Sequence, residues 1–389
     1  MTTHVAPETE LVLSLCCTSV SAEVAARVRT LLAQPLDWNA VLRRAESWEL
    51  EAVVFSNLRS TFGEAIPPKV LDKITVLERE SRARALSRTL VTIELVSRLE
   101  SSGIKSILMK GPAIGVVAYG DPSLRSFDDV DLLVRKQDLV RARDLLISFG
   151  YEKQYVDADE SFLIDQHHAL EFSNSRLKVE LHSALVERHL RLSVPEPDLW
   201  AVESRVSCAG GSVRVLAPHY FFVFLCSHGA KHEWERPRWV RDIAQLLTKV
   251  DPDAAGRIID TADGLHARRI LALGLRLAAS MFGADISAFP ASRMVPDGET
   301  RELVELVLAR ARLIDYAPST VAMKLSRHDP NIAPLFFWVA ARERYLDRVA
   351  CVAHVLLVPT ASDNGPRALK WARRPVRLAA RLLWGAARA

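Results

Sequence analysis

The sequence predicts an α+β fold, in which a small mixed sheet with helices is flanked by helical regions on both sides. Apolar residues recur at helical spacing up to residue 102, short apolar runs separated by turn residues follow, and helical spacing then returns. At 389 residues the chain is also longer than one compact core usually is. We therefore expect an N-terminal helical region over 1–102, a core domain over 103–216, and a C-terminal helical domain with a basic tail over 217–389.

The N-terminal region is expected to end in one long helix. Its apolar residues recur every three or four positions, at Val70, Leu71, Ile74 and Leu77 and again at Leu86, Leu90, Ile93 and Val96. Pro67 and Pro68 favour a helix start and Gly103 favours a helix end. The pattern therefore predicts a helix across much of 67–102.

The core domain is expected to contain short strands and two helices. Strands are predicted at Lys105–Met109, Val130–Val134, Tyr151–Val156, His168–Phe172 and Leu177–Leu181 and across Val206–Val215. Ser173, Asn174 and Ser175 favour a hairpin between two of these strands, and Gly210 with Gly211 favours a turn within the last one. The helices are predicted from Gly111 and Pro112 to Tyr119 and over 137–149.

The basic residues of the chain are concentrated at its end. The formal net charge of +4 is too small to predict nucleic-acid binding, but the segment after Asp363 has seven basic residues and no acidic one. The rest of the chain therefore has a net charge of −3. Apolar residues alternate with these arginines, which is typical of a basic amphipathic helix. We expect the tail either to dock its apolar side on the protein itself or to contact an anionic surface.

Cysteine usage and hydropathy indicate the cellular compartment. The five cysteines are odd in number and lack C-x-x-C spacing, which favours neither a disulfide framework nor a zinc site. Glu8 and Glu10 precede the first apolar run, where a signal peptide would have basic residues. The longest apolar runs reach about half of a bilayer span. We therefore expect a soluble, cytoplasmic protein without stable membrane insertion.

Two aspartates occupy alternate positions in the stretch SFDDVDLLV, residues 126–134. Alternate side chains of a strand share a face, so Asp129 and Asp131 would project together, about 6–7 Å apart at the backbone. Their mutual repulsion favours a bound cation, and a hard ion such as Mg²⁺ or Mn²⁺ prefers carboxylate oxygens. The alternative is a surface strand with solvated acids, because a D-x-D pattern is short and common.

A candidate phosphate site precedes this strand. Lys110 and Gly111 connect the strand ending at Met109 to a predicted helix start, where free N–H groups and the helix dipole favour an anion. The glycine would let the backbone approach a phosphate closely, and the lysine adds a positive charge. The alternative is a structural turn, since strand–glycine–helix connections are frequent.

A third carboxylate lies in the stretch LKVELH, residues 177–182, where Glu180 and His182 share a strand face. If this strand lies beside the D-x-D strand, Glu180 completes a cluster able to hold two metal ions. One ion would activate an attacking hydroxyl and the other would bind the triphosphate. His182 is then expected to donate to the cluster or to contact substrate, because a zinc site with His167 and His168 would lack a suitably spaced fourth ligand.

Three stretches together resemble a known family. They are LMKGPAIGVVAYGDPSLRSFDDVDLLVRKQDLVRARDLLISFGYE (108–152), HHALEFSNSRLKVELHSAL (167–185) and LCSHGAKHEWERPRWVRDIAQLL (225–247). The first contains a strand ending in Lys-Gly, a helix, an arginine, an Asp-x-Asp strand and a helix closing in Gly-Tyr. In this order the motifs resemble the bacterial "uncharacterised nucleotidyltransferase" family of the polymerase-beta superfamily.

The resemblance implies a polymerase-beta-like nucleotidyltransferase core, with Mg²⁺ or Mn²⁺ as cofactor and an NTP such as ATP as co-substrate. It implies that Asp129 and Asp131 are the paired metal ligands and that Glu180 is the third, so that all three are catalytic.

The same resemblance places Lys110 and Gly111 in the turn that cradles phosphate, and Arg125 where it could meet the nucleotide. Across the wider superfamily the glycine is usually followed by serine. Here Pro112 follows Gly111, so the turn has no hydroxyl for a phosphate oxygen.

A dense polar stretch lies in the C-terminal half. It contains His228, Lys231, His232, Arg236 and Arg238. The stretch is either a solvated helix face or part of a cleft between domains, where Lys231 and Arg236 would meet the triphosphate or the acceptor. Asp242, four residues after Arg238, could pair with that arginine.

The sequence therefore predicts transfer of a nucleoside monophosphate from an NTP to an acceptor, which could be a small molecule, a peptide, a protein or an RNA end. One alternative is a D-x-D glycosyltransferase, and another is a non-catalytic protein of the same fold that binds a nucleotide or a partner. The Lys-Gly turn and the later single carboxylate favour nucleotidyl transfer over glycosyl transfer. The three acids, all present, argue against a degenerate site.

Overall fold

The computed structural model describes residues 5–154, 160–166, 168–186, 194, 196–201, 204–294, 298–311 and 333–357. His167 and the basic tail after Asp363 lie outside the described residues, so what the sequence predicts for them stays a prediction.

The N-terminal part of the chain is helical, as predicted. Its helices are α1 (Pro7–Ser14), α2 (Ala22–Leu32), α3 (Trp38–Ser47), α4 (Glu51–Phe62) and α5 (Pro68–Ser101). Ser21 and Asp37 precede α2 and α3, and their side chains accept hydrogen bonds from N–H groups of the first turn. α5 is 34 residues long and matches the helix predicted over 67–102. The proline at its first position fits there because first-turn N–H groups have no partner within the helix.

The core of the fold is a mixed sheet. Its strands are β1 (Ser106–Leu108), β2 (Asp129–Val134), β3 (Glu152–Lys153), β4 (Ala169–Ser173) and β5 (Lys178–His182). Among the described residues these five strands lie in the order β1-β2-β5-β4-β3. β2 and β5 are parallel, whereas the other neighbouring pairs are antiparallel. The predicted hairpin between β4 and β5 is therefore confirmed, and β5 is placed directly beside the D-x-D strand.

Short helices and a separate hairpin complete this part of the chain. The helices are α6 (Pro112–Ile114), α7 (Leu139–Ser148), α8 (Glu160–Gln166) and α9 (Glu196–Ala201), and the hairpin strands are β6 (Ser204–Cys208) and β7 (Gly211–Val215). The helix predicted as far as Tyr119 is instead one α-turn followed by a π-helix over Gly115–Tyr119. This wider turn contains a tight contact, because a Cβ on Gly115 would lie 2.7 Å from Cα of Pro122.

The C-terminal part returns to helices, as predicted. They are α10 (Pro218–Lys231), α11 (Pro237–Leu247), α12 (Pro252–Gly264), α13 (Arg268–Phe282), α14 (Gly298–Arg310), α15 (Ala333–Ala340) and α16 (Tyr345–Leu357). Every residue of α11 is buried, so this helix forms the centre of the C-terminal part. Across the described ranges, no helix combines the length and apolar character needed to cross a bilayer.

Two apolar cores stabilise the structure. One gathers buried residues from Leu11 to Ile74, and the other gathers the sheet and the C-terminal helices. α5 belongs to both, since Ile74 lies in the first core and Val96 in the second. Each large apolar side chain that is fully buried contributes about 1.5–3 kcal/mol to stability. The N-terminal helices are thus tied to the sheet through one continuous helix. The division into three domains stays a prediction.

Candidate active site

The parallel pairing of β2 and β5 sets the position of the predicted acids. In this register Asp131 lies directly opposite Glu180, so their side chains emerge from the same face of the sheet. Val130 and Leu132 point to the other face, where both are fully buried in the core. Because those apolar residues fix which side of the strand faces inward, the acids are held on the remaining face.

Four charged side chains meet on this face. Nζ of Lys110 lies 2.7 Å from Oδ1 of Asp131. Nε2 of His182 lies 3.1 Å from the same oxygen and 3.2 Å from Oε2 of Glu180. Asp131 is 1% exposed, and its second oxygen, Oδ2, is buried without a hydrogen-bond partner. An unpaired buried carboxylate oxygen is costly, so this atom is the unsatisfied point of the cluster.

The electrostatics of the cluster follow from these contacts. Burial opposes ionisation of Asp131, yet the charge of Lys110 and the hydrogen bond from His182 hold its pKa well below the usual range. Burial likewise opposes the charge on His182, but hydrogen bonds to Asp131 and Glu180 raise its pKa to about 9. Burial also opposes ionisation of Glu180, but the hydrogen bond from His182, together with the charges of His182 and Lys110, lowers its pKa. At neutral pH the metal-free cluster therefore contains two carboxylates balanced by a lysine and an imidazolium.

Asp129 differs from Asp131, although the two share a strand face. It is half-buried, and its pKa is raised by burial and then by the negative charge of Asp131. Lys110 only partly offsets these two effects. In the metal-free protein Asp129 is therefore the acid whose charge is least compensated.

A divalent cation fits part of this arrangement. Among the described residues, one carboxylate oxygen each of Asp131 and Glu180 and one ring nitrogen of His182 lie within 4.8 Å of one another. Carboxylate oxygens suit Mg²⁺ and Mn²⁺, and the unpaired Oδ2 of Asp131 is an additional free donor. This set differs from the predicted one, since His182 is included and Asp129 is not. His182 is included because it bridges the two acids, and the assignment of Asp129 as a ligand stays a prediction.

Gly111 lies where the chain crosses β2. It has φ of 62°, and a Cβ there would lie 2.8 Å from Cγ1 of Val130 and 3.4 Å from the carbonyl oxygen of Asp129. Both the backbone angle and the close approach require glycine. The preceding residue, Met109, donates its N–H to the carbonyl of Asp131 over 2.9 Å. These contacts explain why the Lys110 side chain reaches Asp131, a pairing that sequence analysis did not predict.

The loop before Asp129 is held by residues from distant parts of the chain. Arg88 of α5 donates to the carbonyl of Phe127 over 2.5 Å, and Arg238 of α11 donates to the carbonyl of Ser126 over 3.1 Å. The Ser126 hydroxyl donates to Oε1 of Glu51 over 2.5 Å. N-terminal and C-terminal helices thus position the start of β2. No local pattern marks Arg88 or Glu51 for this role, so sequence analysis missed them.

Arg125 lies in a second buried ionic cluster. Its guanidinium is 2.8–3.0 Å from both carboxylate oxygens of Asp242, and the hydroxyl of Tyr119 donates to Oδ1 of that acid over 2.9 Å. The suggested pairing of Asp242 with Arg238 is wrong. Although four residues separate them on α11, Arg238 pairs with Glu49 and donates to the Ser126 carbonyl. The role of Arg125 towards a nucleotide stays a prediction, since its donors are directed at Asp242.

The residues of the polar stretch in α10 and α11 contact two different parts of the structure. Arg236 forms an ion pair with Glu49 in the connection between α3 and α4. The ring of His228 lies 5.2 Å from that of Trp239, and burial followed by the charge of Lys110 lowers the pKa of His228. The charge of Lys231 acts in the same direction. The charges of both Lys110 and Lys231 therefore act on His228, whereas Arg236 points to the N-terminal helices.

The family described as "Uncharacterised nucleotidyltransferase" matches residues 34–283, a span that includes every residue of the cluster. No curated protein matches the chain significantly. One similar solved structure is an antigenic nucleotidyltransferase-like protein from Paracoccidioides brasiliensis, with 17% identity and a TM-score of 0.31. The alignment covers 51% of this chain and 94% of that chain.

Proposed function

Because the chain belongs to the uncharacterised nucleotidyltransferase family, we propose that it transfers a nucleoside monophosphate from an NTP to an acceptor, using Mg²⁺ or Mn²⁺. One observation carries the proposal: the parallel register that sets Asp131 opposite Glu180 on a single sheet face. The site assignments are Asp129, Asp131 and Glu180 as metal ligands, with His182 beside them.

A cation at this site would have two roles. When bound, it would activate the acceptor hydroxyl and offset the charge on the triphosphate and the leaving pyrophosphate. Asp131 and Glu180 direct their oxygens to a common point, because neighbouring strands hold them in register. A cation held by these acids would also pair the buried Oδ2 of Asp131, which is otherwise unsatisfied.

Lys110 is assigned to the triphosphate. It is largely buried and its charge is directed at Asp131, so it is fixed at the site before any substrate binds. Once Asp131 shares its charge with a cation, Nζ of Lys110 would be free to pair with a phosphate oxygen. Gly111 follows it and gives the backbone a close approach to β2. Lys231 is assigned a supporting contact, and Arg125 and Arg236 hold the surrounding elements in place.

The acceptor is a small molecule, a peptide, a protein or an RNA end. We assign the activity to the cytoplasm because all five cysteines are free, which suits a reducing compartment.

The balanced charge of the cluster supports one alternative, a non-catalytic protein that binds a nucleotide or a partner. Lys110 and His182 already compensate Asp131 and Glu180 without a cation. If this charge balance were the function of the site, a divalent cation would have no carboxylate of the cluster left to neutralise except that of Asp129. The two functions therefore differ in whether nucleotide binding requires metal.

Calorimetry on the full chain tests the proposal. We expect NTP binding to need Mg²⁺ or Mn²⁺ and to be lost with a chelator, because without a cation Lys110 pairs with Asp131 and the charge of Asp129 opposes the triphosphate. The Asp131→Asn variant should bind NTP equally with and without metal. Equal NTP affinity of the unmodified protein in both conditions would favour the non-catalytic alternative.

A screen of labelled NTPs against the four acceptor classes would identify the acceptor. Release of pyrophosphate together with labelled acceptor is the expected result. Transfer of a sugar from a nucleotide-sugar donor, with no pyrophosphate released from NTP, would support the glycosyltransferase alternative.

A further inference from the structure

A large cavity lies away from the acidic cluster, between the N-terminal helices and α13. Its volume is about 1010 Å³. The apolar part of its wall includes Leu13, Val24, Met281, Phe282 and Leu308. A cavity of this size is at the upper end of the range that holds drug-sized ligands. None of the residues that line it belongs to the acidic cluster.

One buried cation lines this cavity. Arg241 of α11 is 6% exposed, and its Nε is buried without a hydrogen-bond acceptor. A second guanidinium nitrogen, Nη2, donates to the neutral side chain of Gln245. The guanidinium also lies 5.6 Å from the ring of Phe282, a weak cation–π contact. Within the described part of the chain, Arg241 forms no ion pair with a carboxylate.

The other polar groups of the wall do not provide the missing countercharge. Glu10 is paired with Arg27 over 2.6 Å, and Glu23 is exposed. Cys16 is buried, which raises its pKa to about 12, so its thiol is neutral at physiological pH. A buried guanidinium with an unsatisfied N–H and no anionic partner is a costly arrangement. Elsewhere in the fold, the buried Arg125 is fully paired with Asp242.

We propose that this cavity binds a small amphipathic anion, whose carboxylate or phosphate pairs with Arg241 and whose apolar body occupies the rest of the space. A guanidinium fork suits both kinds of acid. A lone inorganic anion would leave most of the volume and the apolar wall unused. This binding site does not depend on the proposed nucleotidyl transfer.

Binding of four probes to the full chain tests the proposal. Octanoate and octyl phosphate carry the required acid, 1-octanol has the same apolar body without charge, and inorganic phosphate has the charge without the body. In calorimetry we expect one of the two acidic probes to bind at least tenfold more tightly than 1-octanol or inorganic phosphate. The tighter of the two identifies the acid, a carboxylate or a phosphate.

Variants assign the binding to the cavity. Arg241→Met should weaken binding of the preferred probe at least tenfold. Arg257→Gln, on the exposed surface of α12, should leave the affinity for that probe unchanged. Ala279→Phe adds bulk to the cavity wall without altering Arg241, and it should cause the same loss if Arg241→Met does not fold. Equal affinity for the acidic probes and 1-octanol would overturn the proposal. Unchanged affinity in Arg241→Met or, failing that, in Ala279→Phe would do the same.

Discussion

The cluster around Asp131 and the cluster around Asp242 are both buried and charged, but they differ in completeness. Asp242 accepts from Arg125 with both oxygens and from Tyr119 as well. Asp131 engages Lys110 and His182 through Oδ1 only, and its Oδ2 has no partner. The first cluster is closed, whereas the second has a free donor oxygen beside two further acids. Burial of charge therefore does not by itself mark a functional site, and an unsatisfied position within the cluster is the more informative feature.

The two clusters also differ in what they connect. Asp242 and Arg125 join α11 to the segment before β2, so their pairing is part of the packing between distant elements. Asp131 and Glu180 lie on adjacent strands that the backbone already holds together. Charge removal should consequently affect stability at the first cluster and activity at the second.

The largest expected effect is on turnover. We expect Asp129→Asn to lower NTP turnover at least a thousandfold, about 4 kcal/mol of transition-state stabilisation, because it removes one of the proposed metal ligands. Burial and Asp131 raise the pKa of Asp129, so its charge destabilises the metal-free fold at neutral pH. The melting temperature of the metal-free variant should therefore stay equal or rise.

The neighbouring acid provides a matched control. Asp128 is 69% exposed and pairs with Arg88 over 2.9 Å, so Asp128→Asn should leave both turnover and melting temperature nearly unchanged. A clearly lower melting temperature of Asp129→Asn, with near-normal turnover per folded molecule, would assign Asp129 a structural role instead.

The second effect is on folding. Asp242→Asn leaves the buried charge of Arg125 uncompensated, and we expect it to lower the free energy of unfolding by about 3 kcal/mol. Turnover per folded molecule should fall less than tenfold, because Asp242 does not touch the acidic cluster. Denaturant unfolding and turnover measured on the same preparation separate the two quantities.

Unchanged stability with lost turnover in Asp242→Asn would contradict the contrast drawn between the two clusters. If Asp242→Asn unfolds at the same denaturant concentration as the unmodified protein but loses turnover, Arg125 acts on the nucleotide rather than on packing. The role predicted for Arg125 from sequence would then be supported.

The smallest effect concerns pH. Burial, followed by the charges of Lys110, His232, Lys231 and Arg125, holds the pKa of His228 below its ordinary value of 6.5. Below pH 6.5 the unfolded chain gains a proton that the folded chain does not bind, so stability is lost as pH falls. The loss attributable to one such group is at most about 1.4 kcal/mol per pH unit.

We expect His228→Gln to reduce this acid-dependent loss, measured by denaturant unfolding between pH 7.5 and pH 5. The exposed His266 provides the comparison, and His266→Asn should retain the pH profile of the unmodified protein. Identical profiles for both variants would show that His228 is protonated in the folded protein, and hence that Lys110 and Lys231 do not dominate its surroundings.

Local sequence patterns predicted much of the fold around the site. The alternation in residues 126–134 and 177–182 located the two strands and assigned Asp131 and Glu180 to the faces opposite their apolar neighbours, because the period of two is a local property. The turn residues between β4 and β5 were sufficient to predict that these two strands pair as a hairpin, which keeps β5 in the sheet. Proline and glycine marked the ends of α5 for the same local reason.

The contacts between distant elements could not be predicted in this way. Arg125 pairs with Asp242, which is 117 residues away, and Arg238 pairs with Glu49, not with the acid one helical turn further on. Helical spacing suggested the nearer partner, but tertiary packing turned Asp242 towards Arg125. The ion pair of Lys110 with Asp131 was missed for a related reason. The turn at Gly111 brings Lys110 beside β2, and no local pattern in the sequence marks that approach.

The path of α5 has a consequence for how the site could be moved between proteins. Residues 103–216 contain every strand of the sheet, yet Val91, Leu95, Val96 and Leu99 of α5 lie in the core beneath it. A transplanted piece starting at residue 103 would lose those four apolar side chains and the Arg88 contact to the loop before Asp129. Residues 103–216 are therefore not a self-sufficient module. Any portable form would have to include at least the part of α5 from Arg88 to Leu99.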